Sequence, residues 1–497
     1  MIQLYPYQKS LVQRVRESMA AGHKSIVVQS PTGSGKTVIF SYIVSEMLKR
    51  GKRALIITDR IELLNETGGT LSEFGIHAQE IVAGHRGEPD SVNVFIAMSE
   101  TLRRRVGRWT RFFSMFDVVI VDEVHRQGFN WIAGKFTGYV LGFTATPERS
   151  GKMRQLGADY ADLILGPQVP ELIRDGFLVP DRYYGVKSVD MDGVRVSSLG
   201  DYREDDMFKR YDKREIYTGA VDNWRRICPG TMTLGFGVNI IHVARLAAEF
   251  NAAGVGARFV TSDLSPDSEH FEEWRELRRL YGGERKEVLA AWRRREFPVL
   301  FNAGILTTGY NVREVETILV SRSTVSLPLW LQILGRGSRT YPGKQYFNVL
   351  DFGDNGRRLG YYNQMREWSL WHKQSKGGGA PPVKECKQCK CYVFATLREC
   401  PFCGYVFPVE KTVKVAELVA VDYTSVKPAS VYAELERRAE ERGYKHGWVI
   451  TQILLKDGRD GLLAYAKEKG YKSGWVWATE KRYAGVLQGR KKNETKT

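Results

Sequence analysis

Directly after the apolar run Ser25-Ile26-Val27-Val28, the chain reads Ser30-Pro31-Thr32-Gly33-Ser34-Gly35-Lys36-Thr37 and passes into a helical stretch. A glycine-rich turn held between a strand and a helix restricts this chain more than any other feature, because such turns belong to parallel α/β sheets. The surrounding pattern agrees. Runs at 54–57, 94–97, 118–121 and 140–143 are short, apolar and separated by crossover-length segments. Strands that are apolar throughout are those covered on both faces, so an α/β domain is expected over residues 1–165.

The pattern resumes with strands near 231–236, 257–261, 298–301, 317–320 and 347–350, and with a helix near 240–250. A second α/β domain is expected over 166–372, entered through a connector spanning 147–184. The cluster Gly377-Gly378-Gly379-Ala380-Pro381-Pro382 marks a linker. Residues 373–410 then hold this linker and a cysteine cluster, and 411–497 a small, mainly helical basic module. In that module Gly443-Tyr444-Lys445-His446-Gly447-Trp448 recurs 27 residues later as Gly470-Tyr471-Lys472-Ser473-Gly474-Trp475. Each copy reads as a helix stopped by glycine and followed by a turn. Trp448 and Trp475 read first as core anchors, with base stacking as the alternative.

The glycine turn has the chemistry of a phosphate cradle. Backbone N–H groups of Thr32, Gly33, Ser34 and Gly35 can wrap phosphate oxygens, Lys36 can reach the outer ones, and Thr37 can ligate Mg²⁺. The run 118–121 ends in Asp122-Glu123-Val124-His125. Two carboxylates at the C-terminal end of a parallel strand lie where such sheets bind ligands. Asp122 is placed to hold Mg²⁺ and Glu123 to polarise an attacking water.

Lys and Arg number 74 against 57 Asp and Glu, a net charge of +17, which favours a polyanionic partner over a merely basic surface. No apolar run reaches the ~18–20 residues that span a bilayer, and residues 1–5 carry no basic leader, so no membrane partner and a cytoplasmic location are expected. Five of six cysteines lie between Cys386 and Cys403. The paired CxxC turns Cys386/Cys389 and Cys400/Cys403 suit a structural Zn²⁺ in a zinc ribbon. Cys391 competes with Cys389 for one ligand position, and an iron–sulfur cluster is the alternative.

Together these residues resemble a superfamily 2 helicase or translocase of the DExH type, over about residues 1–355. The resemblance implies two RecA-like parallel-sheet domains that sandwich ATP and Mg²⁺. It places Tyr5 and Gln8 at the adenine, and it gives His125 a share in the catalytic carboxylate motif. It makes Thr144-Ala145-Thr146-Pro147 the segment coupling hydrolysis to domain movement. In Thr307-Thr308-Gly309-Tyr310-Asn311, Gly309 and Asn311 border the nucleotide. Gln332-Ile333-Leu334-Gly335-Arg336-Gly337-Ser338-Arg339 supplies Gln332 to place the water, and Arg336 and Arg339 to reach the γ-phosphate. Arg60, Thr101, Thr261 and Thr307 would contact nucleic acid, joined by Lys445 and Lys472 in the tail.

A narrower likeness, to RadD-type repair ATPases and phage branch-migration helicases, rests on the zinc ribbon behind the motor. The leading expectation is an ATP-dependent DNA helicase or translocase working on branched or forked DNA in repair, recombination or replication, in a bacterium or phage-infected cell. An RNA-remodelling helicase and the motor of a restriction or defence complex are the alternatives. The tail is also a docking candidate for a protein partner.

Overall fold

The computed structural model describes residues 2–149, 154–185, 190–197, 200–307, 312–371, 383–385, 388, 392–394, 398–399, 404–407, 419–420, 432, 435–436, 439–440, 444–471 and 473–483. The chain divides into two compact units, Met1–Asp422 and Tyr423–Thr497. In the first unit the N-terminal apolar runs form β1 (Ser25–Gln29), β2 (Ala54–Thr58), β3 (Gln79–Ile81), β4 (Val94–Met98), β5 (Val118–Asp122), β6 (Tyr139–Thr144) and β7 (Asp162–Leu165). They make one seven-stranded sheet of order β3-β4-β2-β5-β6-β1-β7, parallel throughout.

Successive residues enter opposite cores. Ile26 and Val28 pack with Phe40 and Phe143, whereas Val27 packs with Phe112 and Phe129. Burial on both faces is why the strands read as unbroken apolar runs. β3 and β7 are absent from the sequence reading, and β7 falls inside the segment taken as connector. Both are edge strands in which polar residues interrupt the run, and Ser18 Oγ donates to Asp162 of β7.

The second sheet uses β8 (Asp181–Gly185), β9 (Thr233–Gly237), β10 (Ala257–Val260), β11 (Val299–Asn302), β12 (Thr317–Ser321) and β13 (Phe347–Asp351), all parallel. β14 (Val383–Glu385) and β15 (Tyr392–Phe394) pair separately as a hairpin. β16 (Val419–Ala420) returns to the second sheet, antiparallel to β8. Val419 pairs with Gly185 and Ala420 with Tyr184, so these two residues lie in the first unit. Cys386, Cys389, Cys391, Cys400 and Cys403 lie outside the described residues, but their flanks pair, Glu385 with Tyr392 and Glu399 with Val406.

In the second unit a helix over His446–Lys469 breaks its backbone at Gly458 (φ 63°, ψ −142°), and a further helix spans Ser473–Arg482. Both copies of the repeat close the same way. Tyr444 N–H donates to the Ala439 carbonyl at 2.7 Å, and Tyr471 N–H to that of Ala466 at 2.8 Å. Each tyrosine then stacks at a tilt on its tryptophan, with ring centroids 5.0 Å apart for Trp448 and 4.5 Å for Trp475. Both tryptophans pack half-buried against a core containing Val449, Ile453 and Tyr465, the arrangement of anchors. Among the described residues no helix is long and apolar enough to cross a membrane.

Candidate active site

The glycine turn follows β1, and the loop is wired to itself and to β6. Ser30 N–H donates to the Thr144 carbonyl at 2.9 Å, and Ser30 Oγ lies 2.6 Å from Ser34 Oγ, which donates to the Pro31 carbonyl. Ser30, standing where a first glycine is usual, is thus fully buried and hydrogen-bonded rather than strained. Gly33 (φ 89°) and Gly35 (φ 80°) take left-handed conformations that a side chain resists, and Gly35 starts the helix Lys36–Leu48. A Cβ on Gly35 would also meet Gln8 Nε2 at 2.7 Å. Gln8 Nε2 and the Tyr7 hydroxyl both donate to the Ser34 carbonyl, at 3.1 and 2.7 Å. The exposed Tyr5 ring lies 4.7 Å from Phe177, a connector residue that the sequence reading overlooked.

Asp122 ends β5, one strand beyond β6, and Glu123 follows it in the turn. Glu123 has a positive φ of 53°, rare for a residue with a side chain, and its N–H donates to Asp122 Oδ1 at 3.0 Å. Lys36 Nζ stands 3.6 Å from Glu123 Oε1, and His125 Nδ1 is 3.4 Å from Glu123 Oε2. Burial pushes Asp122 above its ordinary range, and the Glu123 charge pushes the same way. Burial acts likewise on Glu123, but Lys36, His125, Arg126 and Arg336 together hold it below the ordinary range. A hard divalent cation would relieve the buried Asp122 charge, so the donor set of Asp122 and Thr37 fits Mg²⁺.

His125 links this strand end to the next. Thr144 Oγ1 donates its one proton to the Thr146 carbonyl and accepts the Thr146 N–H, so His125 Nδ1, 2.8 Å away, must be the donor to it. Burial lowers His125 to about 4, leaving the ring neutral near pH 7 and able to make this bond.

The opposite wall comes from the second sheet. The helix Leu327–Leu334 carries the buried Gln332 and runs into Gly335-Arg336-Gly337-Ser338-Arg339. A Cβ on Gly33 would lie 3.6 Å from Arg339 Cγ and 3.6 Å from Ser338 Oγ, so this loop packs directly on the phosphate cradle. Arg336 donates through Nε (3.0 Å) and Nη2 (2.6 Å) to the Thr307 carbonyl, and its charge acts on Glu123 across the cleft. Burial lowers both arginines below their ordinary range, with Arg339 adding to the effect on Arg336.

Gly335 approaches Thr32 so closely that a Cβ there would sit 2.4 Å from Thr32 Cβ. Gly335→Ala should therefore prop the two walls apart and reduce ATP turnover by about 10²-fold, the scale of a 1 Å misplacement. An unchanged melting temperature with turnover within two-fold of the parent would show that this approach is not needed.

The expected nucleic-acid residues are distributed along the same strand ends. Arg60 follows β2 and Thr307 follows β11, and the Gly304 carbonyl accepts from both, at 3.4 Å from Arg60 Nη1 and 2.7 Å from Thr307 Oγ1. Nearby, Arg285 of one domain pairs with Glu62 of the other at 2.7 Å. Thr101 is buried on the helix Ser99–Arg103 after β4, and Thr261 is half-buried after β10. Lys445 is exposed in the second unit; Gly309, Asn311 and Lys472 lie outside the described residues.

A sequence model of the family described as type III restriction enzyme, res subunit, matches residues 1–149. The chain is 26% identical over 374 residues to a Saccharomyces cerevisiae protein named as an ATP-dependent helicase, IRC3, covering 70% of this chain and 51% of that protein. It therefore spans about half the length of that curated relative. A 51.5 kDa Lactococcus phage protein is 24% identical over 78% of this chain and 79% of its own length. A solved fragment described as an HsdR subunit of a type I restriction enzyme from Vibrio vulnificus YJ016 matches with a TM-score of 0.53. It is 23% identical and covers 72% of this chain and 66% of that one. The chain is thus similar to helicase-named proteins and to a restriction-enzyme subunit. Lys36, Asp122 and Glu123 stand with the first parallel sheet, and Arg336 and Arg339 with the second.

Proposed function

We propose that the chain is an ATP-hydrolysing motor that moves on or remodels DNA, with branched or forked duplex as its substrate in repair, recombination or replication. The observation that carries this reading is the shared cleft. Gly33 meets Ser338 and Arg339, Gly335 meets Thr32, and Glu123 lies within the field of Arg336. In the proposed reaction Tyr5 and Gln8 hold the base and the residues 32–37 wrap the phosphates. Glu123, kept ionised, takes a proton from the attacking water that Gln332 helps to place. Asp122 and Thr37 would hold Mg²⁺, which would neutralise charge on the phosphate oxygens. Arg336 and Arg339 stabilise charge as the γ-phosphoryl departs, and Gly309 and Asn311 border this side of the cleft. The bonds from His125 to Thr144 and from Arg336 to Thr307 would then pass opening and closing of the cleft to Arg60, Thr101, Thr261 and Thr307 along a strand.

In this proposal the motor works in the cytoplasm of a bacterium or phage-infected cell. Comparing ATP turnover with single-stranded, duplex and forked DNA and with RNA tests the reading, and forked DNA should stimulate most. Selective stimulation by RNA would reverse it in favour of RNA remodelling. The likeness to restriction subunits favours a second reading, a motor that serves a partner-supplied nuclease, in which turnover would depend on added partner and not on forks.

Two further parts belong to the proposal. Cys386, Cys389, Cys400 and Cys403 bind one structural Zn²⁺, supported by the paired flanks Glu385/Tyr392 and Glu399/Val406 around them. One zinc per chain is expected by metal analysis, falling to none when Cys400 and Cys403 are both serine; zinc retained in that variant would contradict the assignment. Residues 411–497 hold 18 Lys and Arg against 11 Asp and Glu, and Lys445 and Lys472 contact the DNA backbone there.

A further inference from the structure

Lys344 lies outside every motif recognised in the sequence, just past the tight turn at Gly343 (φ 82°), whose Tyr341 carbonyl accepts the Lys344 N–H at 3.0 Å. Its side chain is partly buried and turns back onto the backbone. Lys344 Nζ donates to three carbonyls: Gly337 at 2.5 Å, Arg339 at 3.0 Å and Arg313 at 3.2 Å. An ammonium has three donors and no acceptor, so its bonding capacity is filled by backbone alone. Two of those carbonyls belong to the loop that presents the arginines. The carbonyl between them, of Ser338, accepts the Val179 N–H at 2.8 Å. Three consecutive peptide groups, beginning just after Arg336 and ending at Arg339, are thereby held in one path. Arg313 lies shortly after Thr307, whose carbonyl Arg336 engages.

The geometry points to Lys344 as the positioning residue of the arginine wall: it fixes the backbone from which Arg336 and Arg339 project and ties that loop to the segment at Arg313. It touches no reacting atom in the proposed scheme and acts through the two guanidinium groups. The position is costly for a cation. Burial, with Arg339 adding to it, draws Lys344 down to about 7 against the opposing charges of Glu316 and Glu314. A lysine recruited only for solubility would bear no such penalty, because a surface amine keeps its water. A purely structural peg is the competing explanation, and it differs in what it predicts for turnover relative to binding.

The inference rests on the reading of the cleft as an ATP site, and the test separates the two. In the full-length protein, Lys344→Met removes all three donors, and Lys344→Gln keeps two N–H donors without the charge. With a melting temperature near the parent's, Lys344→Met should lower kcat by about 10- to 100-fold while KM for ATP moves less than two-fold, and Lys344→Gln should lose less. The decisive comparison is the cycle with Arg339→Ala. If Lys344 works through the arginines, the double variant should be scarcely slower than Arg339→Ala alone. Multiplying losses, or a rise in KM with kcat unchanged, would overturn the positioning role while leaving the ATP reading intact. A wild-type protein without ATP turnover would remove both.

Discussion

Glu123→Gln is expected to lower ATP turnover by about 10²- to 10⁴-fold, the range that a positioned general base supplies, with nucleotide still bound. The amide keeps the shape of the side chain, and the backbone conformation at φ 53° is no harder for glutamine than for glutamate. What disappears is the negative charge that Lys36, Arg126 and Arg336 hold in place. Lys36, 3.6 Å from Glu123 Oε1, then has one anion fewer beside it, so a triphosphate should bind as tightly as before or more so. Steady-state turnover together with a fluorescent-nucleotide titration checks both halves. Turnover within ten-fold of the parent would assign the base to another group.

The arginines are expected to matter as much. Arg336→Ala and Arg339→Ala should each reduce turnover by about 10³-fold or more, the scale set by an arginine that meets developing phosphoryl charge. Lysine should rescue neither, because a compact ammonium lacks the planar fork. The two variants should differ in stability. Arg336 also donates twice to the Thr307 carbonyl, and hydrogen bonds of charged groups contribute about 1.5–3 kcal/mol, so Arg336→Ala should melt lower. Turnover surviving either alanine at a tenth of the parent rate would remove that residue from the γ-phosphate.

Much of this was legible beforehand because the signals are local. The strand-to-glycine-turn-to-helix passage at 25–37 needs only its own residues to be recognised, and burial on both faces leaves a continuous apolar trace in each central strand. Edge strands leave no such trace, which is why β3, β7 and β16 went unread: a short strand paired along one side needs little apolar side chain. Phe177 and Leu178 were hidden in an apparent connector for a related reason. Their role beside Tyr5 and Gly33 comes from partners distant in sequence, and nothing in their own neighbourhood records it. Lys344 is the clearest case, since one lysine beside a proline-glycine turn looks like ordinary solvated surface.

The order and identity of the chemical groups were therefore settled by the chain itself: a lysine after one strand, two carboxylates after another, and two arginines after a helix some 200 residues later. The tertiary fold alone decided that these groups face one another, through Gly335 packed on Thr32 and three carbonyls gathered by a single ammonium. Periodicity records whether a residue is inside, but the distance between two sheets is set by side-chain volumes and backbone hydrogen bonds contributed from both, and no stretch of sequence contains both.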